Sequence, residues 1–310
     1  MFDERQKTTV TTARLALGLT ALMVVIVAFS AWLRLAAAGL GCADWPACYG
    51  PPDGARAAPA WAMPVHRAVA MLFSVGMLWL LWRAWHVRRE TPAMLRNAAI
   101  AFALMLGLTV LGFYTPRPRF PLVTLANVTG GMLLFALLGW IYFRATRVAP
   151  ATVSHLRPWA RGALVLAGAQ IALGAWVSAN YAAAACAGLM GCGMDLTVAA
   201  EAFDPLRRLA ESGAALTAGA PAQLIQGVHR LGASVAFLYI GVLALAAVRH
   251  GALQRAALAV LVLVLLQSAL GMAAVLSGLP RWLVTAHNIG AMGLLLALVY
   301  LNHLLTPKQQ

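Results

Sequence analysis

Three histidines are the residues of this chain best suited to chemistry, because they lie inside apolar stretches or at their ends. His66 and His229 each occur in the phrase VHR, and His287 occurs in VTAHN. An ionisable side chain within a membrane-spanning helix is costly and is by default a functional hypothesis. The other four lie beside arginines or close to the last residues and are interpreted as interfacial: His86, His155, His250 and His303.

Neutral imidazoles in such a setting favour the binding of heme iron, because two histidines from facing helices can clamp a heme inside a four-helix bundle. His229 and His287 are predicted at similar depth and could face each other across one bundle. Arg67 and Arg230 directly follow two of the histidines and could meet heme propionates at the water boundary. A histidine hydrogen-bonded to a neighbouring helix is the open alternative, above all for His66.

The four cysteines form two pairs with five residues between partners, Cys42 with Cys48 and Cys186 with Cys192. The spacing lacks the C-x₂₋₄-C pattern and the nearby histidines of a zinc site. In an oxidising outer compartment, a disulfide in each pair would close a short loop at the mouth of a bundle. Free or redox-active thiols and metal ligation are the alternatives.

Membrane-spanning helices must position these residues, because 62% of the chain is hydrophobic and only 10% is charged. A soluble domain carries about a quarter charged residues, and a span of the bilayer core needs about 20 apolar residues. The first apolar stretch is too long for a cleaved signal peptide and lacks a small-residue cleavage site. Eight stretches qualify: roughly 13–36, 64–86, 97–115, 122–143, 159–180, 224–248, 252–277 and 282–304.

The basic residues predict the orientation. Of the 23 lysines and arginines, 14 lie in connections that are cytoplasmic if the N-terminus is inside, and 6 lie in outer connections. This excess predicts both termini in the cytoplasm. The long connections, roughly 37–63 and 181–223, are then outside and each contains one cysteine pair. The net charge of +14 is thereby explained without a nucleic-acid partner.

The chain contains an internal repeat. Cys42 and Cys186 are 144 residues apart, as are Cys48 and Cys192, and PLVTLANVTGG is answered by WLVTAHNIGAM. Each half has an even number of spans, so the halves are parallel repeats related by an axis along the membrane normal. The predicted fold is an all-α polytopic membrane protein with eight transmembrane helices in two tandem parallel four-helix bundles, residues 1–150 and 151–310.

The stretch RLAAAGLGCADWPACYG, residues 34–50, resembles the first outer-loop signature of the heme A synthase family. The likeness continues through both VHR helices, the second cysteine pair and the eight-span layout, over nearly the whole chain. The resemblance implies a bacterial inner-membrane oxidoreductase that converts the C8 methyl of heme O to a formyl group through hydroxylation, for cytochrome oxidase biogenesis. It also implies a heme b cofactor, with its iron, between His229 and His287, and substrate heme O at His66.

The chain departs from the family pattern at two places on the substrate side. The family has a second histidine in the fourth helix, where this chain has Ala126 and Asn127. It also has a glutamate three residues before the first histidine, where this chain has Met63, a packing residue or a thioether ligand. One interpretation is that substrate heme needs a single axial ligand. The other is a paralogue that binds heme without oxidising it.

Two functions of different classes therefore remain: a heme A synthase, or a non-catalytic heme-binding or assembly protein for cytochrome oxidase. A transporter with parallel repeats is the weaker third, because the histidines lie near outer helix ends and not at the midplane. The expected surroundings are the lipid bilayer and heme O. The electron donor is unassigned, and heme O synthase as a partner and a homo-oligomeric state are left open.

Overall fold

The computed structural model describes residues 2–37, 59–114, 120–146, 151, 153–186, 188–208 and 219–306. Its regular elements in these ranges are helices. They are α1 Phe2–Ala37, α2 Ala62–His86, α3 Pro92–Tyr114, α4 Pro121–Ala145, α5 Arg157–Ala179, α6 Ala199–Ala202, α7 Ala220–Val248, α8 Gln254–Leu276 and α9 Arg281–Leu304, with 3₁₀ turns at Ala182–Ala184 and Leu196–Val198.

Eight of these helices are long and apolar enough to cross a membrane, which confirms all eight predicted spans. Their ends extend beyond the predicted ones where a proline opens the helix. Pro92 begins α3 and Pro121 begins α4, because proline suits the first helical turn, whose N–H groups have no intrahelical partner. The hydropathy pattern also misses the polar first turn of a helix such as α3, because that turn is helical but lies outside the apolar stretch.

The contacts between helices form two rings. In the first ring, α1, α2, α3 and α4 each pack on the next and α4 packs on α1; in the second, α5, α7, α8 and α9 do the same. At the junction α4 packs on α9, α1 on α9 and α5 on α4. By position in the repeat, α1 corresponds to α5 and α4 corresponds to α9. Exchanging α1 with α5 and α4 with α9 leaves these three junction contacts unchanged. The packing is thus consistent with two tandem bundles, while the boundary at residue 150 stays a prediction.

Small residues let the helices of the second ring approach closely. Ala160 and Ala163 on α5, Ala244 and Ala247 on α7 and Ala257 on α8 are fully buried in one cluster. Helix association in lipid depends on such packing, because the surrounding hydrocarbon is as apolar as leucine.

The outer faces of the helices are themselves apolar. Phe113 and Val165 expose 81% and 72% of their surfaces. Large exposed apolar side chains along long helices belong in lipid. The protein is therefore a multi-pass membrane protein.

Candidate functional site

The second ring holds two of the three predicted histidines on helices that face each other diagonally. His229 lies on α7 and His287 on α9, and both helices pack on α5 and α8. At 1.5 Å per residue, His229 lies about 13 Å from the start of α7 and His287 about 9 Å from the start of α9. Both imidazoles are half-buried. The arrangement matches the geometry expected of two imidazoles on facing helices.

Each imidazole also forms a hydrogen bond with a glutamine of an adjacent helix, as the alternative interpretation expected. Gln170 Nε2 on α5 donates to His229 Nδ1 at 3.0 Å and to the backbone oxygen of His229 at 2.9 Å. Gln267 Nε2 on α8 lies 3.2 Å from His287 Nε2. These bonds engage one nitrogen of each ring. They do not exclude ligation, because an imidazole binds iron through one nitrogen only.

A glycine lies against each imidazole. A Cβ added at Gly174 on α5 would lie 3.2 Å from His229 Cε1, and one at Gly271 on α8 would lie 3.0 Å from His287 Cε1. Both distances are tighter than ordinary side-chain contacts. The absent side chains therefore provide the space in which each ring stands.

The donor set fits a heme better than a bare metal ion. In the part of the chain that the structure describes, no three His, Cys, Asp or Glu side chains group to hold an ion. A porphyrin supplies four ligands itself and needs only axial donors, which two imidazoles provide. Buried polar atoms without a partner surround the pair, among them His287 Nδ1 and the Oε1 atoms of Gln170 and Gln267. The residues present therefore fit a bis-histidine heme.

Arg230 links α7 to the loop between α5 and α7. Its Nη1 donates to the backbone oxygen of Leu189 at 2.9 Å, while its Nη2 is buried without a partner. The unpaired Nη2 suits an anionic group such as a propionate. Arg67, its counterpart on α2, is exposed.

The loop that Arg230 contacts is closed by a disulfide. Cys186 and Cys192 are bonded with a Cα–Cα distance of 4.8 Å, which confirms the second predicted bridge. The bridge packs on α7, because a Cβ at Gly227 would lie 3.5 Å from Cys192 Cβ. The first predicted bridge, Cys42 with Cys48, lies outside the described residues.

The rest of this loop covers the end of α5. Trp176 Nε1 donates to the backbone oxygen of Ala202 at 3.0 Å, and the Phe203 ring stacks on Trp176. At the start of the second 3₁₀ turn, the Thr197 hydroxyl and backbone N–H donate to Asp195 and hold the pKa of that carboxyl below its ordinary value. Burial lowers the pKa of Arg207, which donates to Asn180. Hydrogen bonds within the loop and to the end of α5 thus fix the loop in place.

Comparison with known proteins decides the family. The sequence profile of the Cytochrome oxidase assembly protein family matches residues 13–299. The chain belongs to this family. It is also 31% identical to a heme A synthase of Shewanella oneidensis over 313 aligned positions, which cover 92% of this chain and 94% of the relative. Both likenesses extend across the two rings.

The first ring of this family member differs from the second. His66 is half-buried in the second turn of α2, and Met63 lies one turn earlier. On the diagonal helix α4, Ala126 and Asn127 are half-buried where the second ring has His287 and Asn288. In the described residues, the first ring therefore has one histidine, and not two, near the N-terminal ends of α2 and α4.

One of the histidines interpreted as interfacial is buried instead. His303 lies in the last turn of α9 and exposes 7% of its surface. Its ring centroid lies within 6.0 Å of those of Trp140 and Phe143 on α4. It lies between the two rings, a position that only the packing of α4 on α9 creates. His155, in contrast, is exposed and pairs with His250.

The sequence reasoning did not identify Gln170 and Gln267. A signal for them exists, because QIALG at 170–174 and QSALG at 267–271 repeat within the second half. The repeat is short and lies inside apolar helices, where glutamine on its own indicates no particular chemistry.

Proposed function

We propose that the protein is a heme A synthase, an oxidoreductase that converts the C8 methyl of heme O to a formyl group. Family membership and the heme A synthase relative support cytochrome oxidase assembly and heme A synthesis in general. The observation that carries the finer proposal is the pair of imidazoles on the diagonal helices α7 and α9. Two such ligands suit a resident heme b.

In this proposal each residue of the second ring has a defined task. His229 and His287 would hold the iron of heme b, and the Nη2 of Arg230 would pair with a propionate. Bound heme b supplies one-electron transfer. Gly174 and Gly271 leave the space in which the imidazoles of His229 and His287 stand. The disulfide loop holds Arg230 at the outer mouth through Leu189.

The first ring would receive the substrate. His66 binds the iron of heme O from one side, and Arg67 at the exposed surface meets its propionates. Because Ala126 and Asn127 offer no second ligand, the opposite face of the substrate heme stays open. The first turn of α2 contains no acidic residue, so Met63 takes no part in proton transfer.

The proposed location is the bacterial inner membrane, with both termini in the cytoplasm. The excess of basic residues in the cytoplasmic connections supports this orientation. The Cys186–Cys192 disulfide supports an oxidising outer compartment for the loop that contains it. Heme O synthase would be the natural source of substrate.

The second candidate is a non-catalytic heme-binding assembly protein. The observation that favours it is the substrate side itself, where Met63, Ala126 and Asn127 replace residues that the family pattern expects.

Heme extraction from cells lacking the gene separates the two candidates. A synthase predicts accumulation of heme O, loss of heme A, and recovery of heme A when the wild-type gene is returned. Unchanged heme A with poorly assembled oxidase would contradict catalysis and support the assembly role. Complementation with His66→Ala is the matched arm, because it removes only the proposed substrate ligand.

A further inference from the structure

A glutamine–histidine contact occurs twice in the second ring, at Nδ1 of His229 and at Nε2 of His287. Gln170 on α5 meets His229 on α7, and Gln267 on α8 meets His287 on α9. The glycine four residues after each glutamine lies against the imidazole, as described for Gly174 and Gly271. Two different helix pairs thus present the same three residue types to the space between α7 and α9.

A second pair of glycines completes each copy. A Cβ at Gly232, three residues after His229, would approach Gln170 Oε1 to 2.5 Å. Gly290, three residues after His287, stands equally close to Gln267. Each amide therefore packs against a glycine, which has no side chain, on the helix that contains its histidine. Such a fit restricts the rotation of the amide and of the imidazole that it contacts.

The first ring lacks these glutamines. The phrase GAWVS at 174–178 matches SAWLR at 30–34, which sets Ile26 opposite Gln170. Likewise QSALG at 267–271 matches LTVLG at 108–112, which sets Leu108 opposite Gln267. The glutamines therefore occur in the second ring of helices, which has two facing histidines, and apolar residues take their places in the first ring.

The chemistry of a ligating imidazole explains the need for an amide. When one ring nitrogen binds iron, the other retains its proton and requires a hydrogen-bond acceptor. In the described residues, Oε1 of Gln170 and Oε1 of Gln267 are both buried without a partner. A half-turn about the last side-chain bond exchanges the oxygen and nitrogen of an amide. Gln267 can therefore accept from His287 Nε2, the ring nitrogen that it now contacts. Gln170 keeps its amide nitrogen toward His229, because that nitrogen also donates to the backbone oxygen of His229.

We propose that Gln170 and Gln267 are positioning residues that fix the planes of the two imidazoles, and that Gln267 also accepts the non-ligating N–H group of His287. The proposal rests on the heme b site of the proposed function. An acceptor at the distant nitrogen makes an imidazole a stronger donor to the metal and so stabilises ferric over ferrous iron. Gln267 thereby sets the potential of the resident heme, and both glutamines set the orientation of its ligands.

The test uses the purified full-length protein with its heme. Gln170→Leu and Gln267→Leu remove the amide, whereas Gln170→Glu and Gln267→Glu introduce a stronger acceptor of nearly the same size. The readouts are the midpoint potential by redox titration and the ferric low-spin electron paramagnetic resonance spectrum. Asn302→Leu is the control, because Asn302 is a buried amide on α9 that donates only to backbone oxygens, about 22 Å along the helix from His287.

The expected result is a pair of opposite shifts. Gln267→Leu should raise the potential and Gln267→Glu should lower it. A tenfold change in the ratio of ferric to ferrous heme affinity corresponds to 59 mV. The leucine variants should also change the low-spin g-values, because the freed rings can rotate. Asn302→Leu should lower thermal stability and leave potential and g-values unchanged.

Two outcomes would overturn the inference in distinguishable ways. If wild-type protein binds heme and His229→Ala abolishes the low-spin spectrum, but the glutamine variants match wild type, only the positioning role fails. If the His229→Ala and His287→Ala variants keep the wild-type spectrum, the heme site of the proposed function itself fails. Leucine and glutamate shifts of the same sign would indicate a packing role and also reject the proposal.

Discussion

Arg34 and Ser178 occupy equivalent positions in the two halves of the chain and contact each other. They are 144 residues apart, the same interval that separates the paired cysteines, and Arg34 Nε donates to Ser178 Oγ at 3.0 Å. A contact between equivalent positions lies on the axis that relates the two rings. The bond therefore joins the rings at the C-terminal ends of α1 and α5.

Arg34→Ala should destabilise the protein by about 1–3 kcal/mol, because it leaves the Ser178 hydroxyl without its partner. The measurement is the thermal unfolding midpoint of purified protein in detergent. Arg88→Ala is the control, since the contacts of Arg88 are local: it lies over the Trp85 ring and donates to the Trp85 backbone oxygen. Equal midpoints for the Arg34 and Arg88 variants would show that the junction does not depend on this bond.

His229→Ala and His287→Ala should each abolish the six-coordinate low-spin heme spectrum, because either change removes one axial ligand. Absorption spectroscopy of protein purified in parallel with wild type is the measurement. His155→Ala, an exposed histidine at the other end of α5, should retain the full spectrum. Loss of heme from that control would indicate general unfolding instead of ligand loss.

Gly174→Ala and Gly271→Ala should weaken heme retention roughly tenfold, because overpacking costs about 1–3 kcal/mol and the added Cβ presses on His229 or His287. Gly168→Ala is a matched control on α5, since a Cβ there meets nothing within 4 Å. Heme content per protein after dilution reports the difference. Equal retention by the Gly168 and Gly174 variants would show that the imidazole does not need this space.

Replacing Cys186 and Cys192 together by alanine should cost about 2 kcal/mol, the loop-closure value for a short loop. It should also weaken heme retention, because Leu189 in that loop accepts from Arg230. Thermal unfolding and heme content measure the two effects. Met190→Ala, at a loop residue 96% exposed, should change neither. Unchanged heme content in the double variant would reject the link through Arg230.

His66→Ala should abolish conversion of heme O to heme A in complemented cells while leaving the low-spin heme spectrum intact, because His66 lies in the other ring. Met63→Ala should leave conversion close to wild type if Met63 only packs. Extracted hemes, separated by chromatography, give the readout for both. A loss of conversion with Met63→Ala would instead assign its thioether to the substrate.

The sequence determined the eight spans, their predicted orientation and the family, because each follows from local pattern. Apolar runs of about 20 residues have no other stable setting than a bilayer, and the phrase at 34–50 is specific by its own residues. His66, His229 and His287 were found in the same way, as ionisable residues out of place in apolar segments.

The tertiary structure alone decided which residues surround those histidines. Gln170 and Gln267 are ordinary polar residues in the sequence, and only the packing of α5 on α7 and of α8 on α9 brings them to His229 and His287. His303 likewise became buried because α4 packs on α9. Hydropathy reports the transfer of a segment into lipid, whereas contacts between helices depend on which side chains meet after the chain has folded.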